Sequence, residues 1–322
     1  MVLTSIWRVL LLAACIAPLG RAWSQGPNAW PTHPVRIVAP FAAGGTADIL
    51  GRIVAQKLSD EYGQTFVVEN RAGAGGLIGA DIVSKGAADG YTLVVSGIAS
   101  LVLAPAMTPA SFDPIRDFAH IALLGGPPDV FLVAPTLAVR DLKEFIALAR
   151  ASSFGYGSPG SGTQGQLIGE LFRKAAGIDL VHVPYKGAGP AVADVMAGHL
   201  PAASVTLTSA VSQIQAGKVR ALALTSHSRL AAFPDVPTFT ESGFPQLVGV
   251  VWFSLSGPAG LPPELVTRLN TSVRRALHSS DVLERLHRES IESNDMDAVQ
   301  FTEFVKSELA RWTPVIRAVV KP

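Results

Sequence analysis

Cysteine is almost missing from this 322-residue chain: Cys15 is the single one, so an internal disulfide framework and a thiolate metal cluster are both excluded. Charge is scarce too, at 16 % of residues, and nearly balanced at a formal net charge of +1. Nucleic-acid binders usually present a basic face, so nucleic acid is not an expected partner. The seven histidines (His33, His120, His182, His199, His227, His278 and His287) show no zinc-binding spacing such as HExxH. No serine sits in a G-x-S-x-G elbow. Lys218 follows Gly217 but is followed by Val219, which excludes a Walker phosphate loop. These absences leave no metal, no cofactor and no recognisable catalytic constellation to expect. Beyond the N-terminus no apolar run is long enough to span a membrane.

The first 24 residues read as a secretory signal: Arg8 is the basic start, Val9 to Leu19 the apolar stretch, and Ala22-Trp23-Ser24 the small-residue cleavage site. Leu12-Ala13-Ala14-Cys15 offers a rival lipoprotein box, although only six apolar residues separate Arg8 from Cys15. Cleavage after Ser24 removes Cys15, Arg8 and Arg21, leaving a near-neutral protein without cysteine. Export of such a chain fits a bacterial periplasm.

From Pro34 onward, strand-like and helix-like runs alternate. Strand-like runs lie at 35–39, 65–69, 91–96, 119–124, 130–134, 154–157, 180–183, 201–206, 219–225 and 248–255. Helix-like runs lie at 47–60, 77–86, 141–151, 163–176, 188–197, 209–216, 262–279, 281–289 and 297–318. This alternation predicts an α/β protein of mainly parallel sheets covered by helices. The length fits two lobes, expected at 25–126 plus 251–322 and at 127–250, with chain crossings near 119–134 and 248–255.

What the chain does have is a pair of glycine-bearing turns, each leaving a strand-like run and opening a helix. The first is Phe41-Ala42-Ala43-Gly44-Gly45-Thr46, with Asp48 just inside the helix. The second is Ser158-Pro159-Gly160-Ser161-Gly162-Thr163. Helix starts carry unpaired N–H groups and partial positive charge, so two such turns could grip an anion from two sides without lysine or arginine. Asp48 is placed to cap the helix or orient the loop. Ser96 and Ser100 follow a strand at its carboxyl end, where α/β ligands sit, and Thr206, Thr208 and Ser209 are placed similarly. A third cluster, Gly73-Ala74-Gly75-Gly76-Leu77-Ile78-Gly79, falls short of a dinucleotide fingerprint because Ile78 replaces its third glycine. It reads as a close-packed loop before a helix. His182, in the apolar run Leu180 to Val183, reads as a packing histidine.

Several segments together resemble the substrate-binding proteins of tripartite tricarboxylate transporters, the Bug family, across nearly all of the chain after residue 24. They are Pro40-Phe41 with Gly44-Gly45 and Asp48, Gly63-Gln64, Val68-Glu69-Asn70-Arg71 and Gly73-Ala74-Gly75-Gly76. Asp89-Gly90-Tyr91-Thr92-Leu93, His182-Val183-Pro184-Tyr185-Lys186-Gly187, Arg220-Ala221-Leu222-Ala223, Val236-Pro237-Thr238 and Trp252-Phe253 follow in the same order. The resemblance implies a periplasmic two-lobe receptor of the Venus-flytrap kind that closes on a small carboxylate and has no catalytic activity. Its partners would be the membrane subunits of such a transporter, or a sensor protein, and it would act as a monomer. It implies that Phe41 to Thr46 and Ser158 to Thr163 hold the ligand, and it adds Gln166, Lys186, Val205 and Thr208 to the candidate lining.

The chain departs from the family pattern at Ala42-Ala43, where many members have prolines, at Gln166, where histidine is common, and at Val205, where many carry aspartate. Loss of that acid argues against an amine-bearing ligand, and apolar Val205 and Phe41 could take a ring or alkyl chain instead. Two other readings compete: a hydrolase of unfamiliar type using Ser158 or Ser161, and a purely structural envelope protein.

Overall fold

A computed structural model describes residues 30–249, 251–293 and 295–319; the expected signal segment and Cys15 lie outside them. The chain begins with β1 (Val35–Ala39), α1 (Thr46–Tyr62), β2 (Phe66–Asn70), α2 (Leu77–Ser84) and β3 (Thr92–Gly97). A π-helical turn, Ala99–Leu103, runs into the short α3 (Ala104–Met107) and is followed by β4 (Phe118–Gly125). Next come β5 (Asp129–Val133), α4 (Leu142–Ala151), β6 (Phe154–Ser158), α5 (Gln164–Ala176), β7 (Leu180–Pro184) and α6 (Ala188–Met196). β8 (Ala202–Thr206), α7 (Val211–Gln215), β9 (Arg220–Leu224) and β10 (Phe253–Pro258) complete the strands. The helices α8 (Pro263–Leu277), α9 (Ser280–Arg288) and α10 (Ala298–Val319) end the fold.

Among the described residues, ten strands form two five-stranded sheets of matching design, ordered β2-β1-β3-β10-β4 and β7-β6-β8-β5-β9. In the first, β1 runs parallel to β2 and β3, while β10 is antiparallel to both neighbours. In the second, β6 runs parallel to β7 and β8, and β5 is the antiparallel insert. The odd strand in each sheet is thus the one that enters just after the chain has crossed from the other sheet. Buried strand cores such as Phe131 and Val133, or Leu93 to Val95, read as continuous apolar runs because helices cover both faces.

Both turn–helix units form as the spacing predicts. Strand pairing of β10 starts at Phe253 opposite Gly97 rather than at 248, because the backbone before it is engaged in the crossing. There the Gly249 amide donates to Thr225 O and the Val251 amide to Pro127 O. The helical stretch 99–107 is absent from the sequence expectations. Apart from Ser100 it is apolar, it is buried from Ala99 to Ala104, and Pro105 lies in the first turn of α3, so it has no amphipathic stripe to read.

The C-terminal helix fastens the second crossing to the first sheet. Buried Glu308 accepts from the Trp252 indole N–H at 2.9 Å and from that of Trp312 at 3.1 Å. Replacing Glu308 by alanine orphans both donors and is expected to cost about 2–4 kcal/mol in a urea-unfolding comparison. A change below ~0.5 kcal/mol would show that the carboxylate is not anchoring these rings.

Candidate functional site

The first helix start is held by a network that leaves its leading amides free. Asp48 Oδ2 accepts from the Gly44 amide at 3.0 Å, and the Arg52 guanidinium lies 2.9 Å from Oδ1. Asn70 donates both to Asp48 Oδ1 and to Phe41 O, tying β2 to the turn. Burial pushes the Asp48 carboxyl up, but the hydrogen bonds from Arg52, Gly44 and Asn70 outweigh it and hold the group below the usual carboxylate range. Asp48 therefore orients the loop; no side chain caps Gly45 at the head of α1.

The second turn is built the same way by different residues. Gln166 Oε1 accepts from the Gly162 amide at 2.8 Å, and the Thr163 hydroxyl donates to Gly160 O at 2.7 Å. The wholly buried Ser158 hydroxyl meets the Gly160 amide at 3.1 Å and His182 Nε2 at 2.6 Å. Burial lowers the His182 pKa to about 4, so the ring is neutral and fixes the turn. Again no side chain caps Thr163 at the head of α5. By contrast α4 is capped through Asp141, which accepts from the Glu144 amide.

These two uncapped helix starts, one from each sheet, open onto one cavity of about 40 Å³. That is room for roughly three waters, at ~10–15 Å³ each, so a larger guest requires the lobes to part further than they do here. Its wall includes Phe41, Gly45, Thr46 and Ala47 from the first start, and Pro159, Thr163, Gln164 and Gly165 from the second. Gly97 to Ser100, Ala188, Val251 and Phe253 supply the mostly apolar remainder, with Thr206 and Asp129. Among the described residues no lysine, arginine or histidine lines it. A larger hollow of about 570 Å³ lies on the surface of the second lobe, where Arg140 and Glu144 already pair with each other.

The two lobes meet around the cavity. The Thr46 hydroxyl donates to Thr206 Oγ1 at 3.0 Å, the Ala42 amide to Lys186 O at 3.0 Å, and the Thr208 hydroxyl to Glu289 O at 2.9 Å. A Cβ built on Gly75 would lie 2.2 Å from Ser161 O, one on Gly162 would lie 2.6 Å from Ala104 Cβ, and one on Gly187 would lie 3.0 Å from Ala42 Cβ. The third glycine cluster is accordingly a close-packed loop against the opposite lobe.

Of the residues expected from sequence, Phe41, Gly45, Thr46, Ser100, Pro159 and Thr163 lie in the cavity wall. Ala42, Gly75's neighbour Ser161, Gly162, Lys186 (through its carbonyl) and Thr208 lie at the contact between lobes. Ala43 follows in the same turn without reaching the wall. Gly44, Asp48, Ser158, Gly160 and Gln166 shape the two turns. Ser96 is outside the cavity, bonded to Ser254 and Ser256 between β3 and β10. Val205 is also outside it, packed in the second lobe's core with Val130.

Although Val205 stands where many members carry aspartate, the cavity wall does hold an acid. Asp129 pairs with Thr206 across β5 and β8, one register step from Val205, and brings a carboxyl to the cavity. It is 1 % exposed, and neither oxygen has a hydrogen-bond partner. Burial alone raises its pKa to about 7. Gln164, 5 % exposed, likewise has both amide atoms unpartnered. Sequence reading passed over both. Asp129 follows the turn Gly125 to Pro128, where an acid looks like turn chemistry, and only strand pairing places it in the wall.

Comparison with known proteins covers nearly the whole chain. A sequence model of the tripartite tricarboxylate transporter family receptor matches residues 50–320. Protein BugT of Bordetella pertussis is 35 % identical over 306 residues, which span 94 % of each chain. Among solved structures, an R. palustris protein with adipate aligns with TM-score 0.87 at 33 % identity, covering 90 % of this chain and 98 % of the other. MatC from Rhodopseudomonas palustris with bound malate aligns with TM-score 0.85 at 30 % identity, covering 89 % and 99 %.

Proposed function

We propose that this chain, which belongs to the tripartite tricarboxylate transporter family of receptors, captures a small carboxylate between its lobes and delivers it to a membrane transporter. The observation that carries this reading is the convergence of two uncapped helix N-termini on one cavity that lacks any cationic side chain. Each charge-assisted hydrogen bond from such an amide is worth about 1.5–3 kcal/mol, and each helix end adds about 0.3–1 kcal/mol. Three or four amides therefore suffice for useful affinity. The adipate and malate held by similar proteins support the same ligand class.

The finer points rest on the same reading. The lobes divide near residues 126 and 251, where both crossings run side by side. Guest binding favours the closed pair of lobes by hinge motion. Export through the N-terminal signal places the receptor in the periplasm, where it acts as a monomer on transporter membrane subunits or a sensor. No helix among the described residues is long and apolar enough to cross a membrane. A catalytic role for Ser158 is disfavoured because its hydroxyl is wholly buried in the turn, engaged with the Gly160 amide and His182, and is not part of the cavity wall.

Thermal-shift screening of the protein against small mono-, di- and tricarboxylates tests the proposal. A true ligand at 100 times its dissociation constant should add about 2.7 kcal/mol of stability. Absence of stabilisation by every acid tried would contradict it.

A further inference from the structure

We infer that the guest of this cavity is bipolar: a carboxylate that also carries a hydrogen-bond donor, foremost a protonated amine, which Asp129 receives. The inference rests on the carboxylate reading above and narrows it.

Asp129 and Gln164 are the two buried polar side chains of the cavity wall that have no partner. Buried polar groups in folded proteins are almost always paired, and an exception calls for a ligand or a cost. Asp129 offers two acceptor oxygens and nothing to fill them. Its own amide is already bonded to Thr225 Oγ1 at 2.8 Å, and its carbonyl accepts from the Thr225 amide at 3.0 Å, so the strand pairing is complete without the side chain. Folding thus needs nothing from this carboxyl, yet it is kept in the wall.

The wall offers two kinds of partner. The heads of α1 and α5 present N–H donors, which take a carboxylate. Asp129 stands in register with Thr206, which accepts from the Thr46 hydroxyl at the head of α1, so its carboxyl lies close beside those donors. When ionised, that carboxyl repels a second acid group and takes a donor, and an ammonium satisfies both oxygens. Phe41, Ile98, Val251 and Phe253 give the carbon skeleton an apolar surface.

Thr206, Thr225, Thr46 and Gln164, on β8, beyond β9, and on α1 and α5, carry no charge, so no protein cation competes for Asp129. The raised pKa is what an unpaired buried carboxyl should show. An arriving ammonium would favour the ionised form, and binding near pH 6.5 would then release a proton.

The test is isothermal calorimetry with matched pairs sharing one skeleton: 4-aminobutyrate and butyrate, 5-aminopentanoate and pentanoate, 4-(aminomethyl)benzoate and 4-methylbenzoate, with adipate added. At least one amine-bearing member should bind tenfold or more tighter than its plain partner. In Asp129→Asn the ratio of affinities within that pair should fall to within about twofold of one. Titration in two buffers of different ionisation enthalpy should show proton release in wild type and none in the variant. If every plain acid or adipate binds as tightly as the amines, the inference fails while the carboxylate reading stands. If no probe binds at all, both fail.

Discussion

Replacing Gly75 by alanine is expected to weaken ligand binding by about a hundredfold or more, roughly 2.7 kcal/mol, while leaving each lobe folded. Gly75 has φ of +63°, and a Cβ there would lie 2.2 Å from the backbone oxygen of Ser161 on the opposite lobe. A backbone atom cannot swing aside as a side-chain tip can, so the closed arrangement must open to admit the methyl group. The left-handed conformation itself costs alanine only about 1–2 kcal/mol. Gly63→Ala is the matched control. Gly63 has φ of +66° at the end of α1 and nothing within 4 Å of a built Cβ. It carries the same conformational strain with no contact between lobes, and its affinity should stay within about twofold of wild type. Equal losses in both variants would mean that backbone strain, and not closure, limits binding.

The second large effect concerns stability without ligand. At pH 8, Asp129→Asn should be more stable than wild type by up to about 4 kcal/mol, a gap that shrinks toward zero at pH 4. Burial holds the folded carboxyl's pKa at about 7, against the ordinary aspartate value of 3.8. Each unit of difference is worth about 1.36 kcal/mol. Between those values the folded protein keeps a proton that the unfolded chain releases, so raising the pH through that window removes stability. Asparagine does not titrate and removes the loss. His120 and His182 work in the opposite direction, because burial lowers both to about 4. Their contribution is present above ~6.5 and is lost as pH falls through 4, but it is common to both variants and cancels in the difference. Urea unfolding of the two proteins from pH 4 to 8 gives the comparison directly. A gap that does not change with pH would show that Asp129 is not held in a dry wall.

The elements that bring the helix starts together were legible because their signals are local. Thr46–Tyr62 and Gln164–Ala176 follow glycine turns and carry apolar stripes, and α10 shows its stripe through Phe301, Val305 and Ile316. The turns themselves were readable for different reasons. Gly160, with φ of +145°, needs glycine conformationally, whereas Gly45 is in ordinary extended backbone with its nearest neighbour, Ala42 O, at 3.4 Å.

What stayed hidden is what depends on pairing between distant segments. The position of Asp129 follows from the register of β5 against β8. The part of the wall formed by Ile98 and Ala99 follows from a buried π-helical turn in which Ser100 alone is polar. The assignment of Ser96 to a hydroxyl cluster with Ser254 and Ser256 follows from β10 entering beside β3 from far along the chain. None of these leaves a periodic trace in sequence.

If backbone amides from opposing lobes share one carboxylate, a crystal structure with the acid that gives the largest thermal shift should show it. The carboxylate oxygens should lie within ~3.2 Å of amides drawn from both Thr46–Asp48 and Gln164–Gln166. An acid bound through one lobe alone, or seated in the surface hollow beside Arg140 and Arg220, would contradict it.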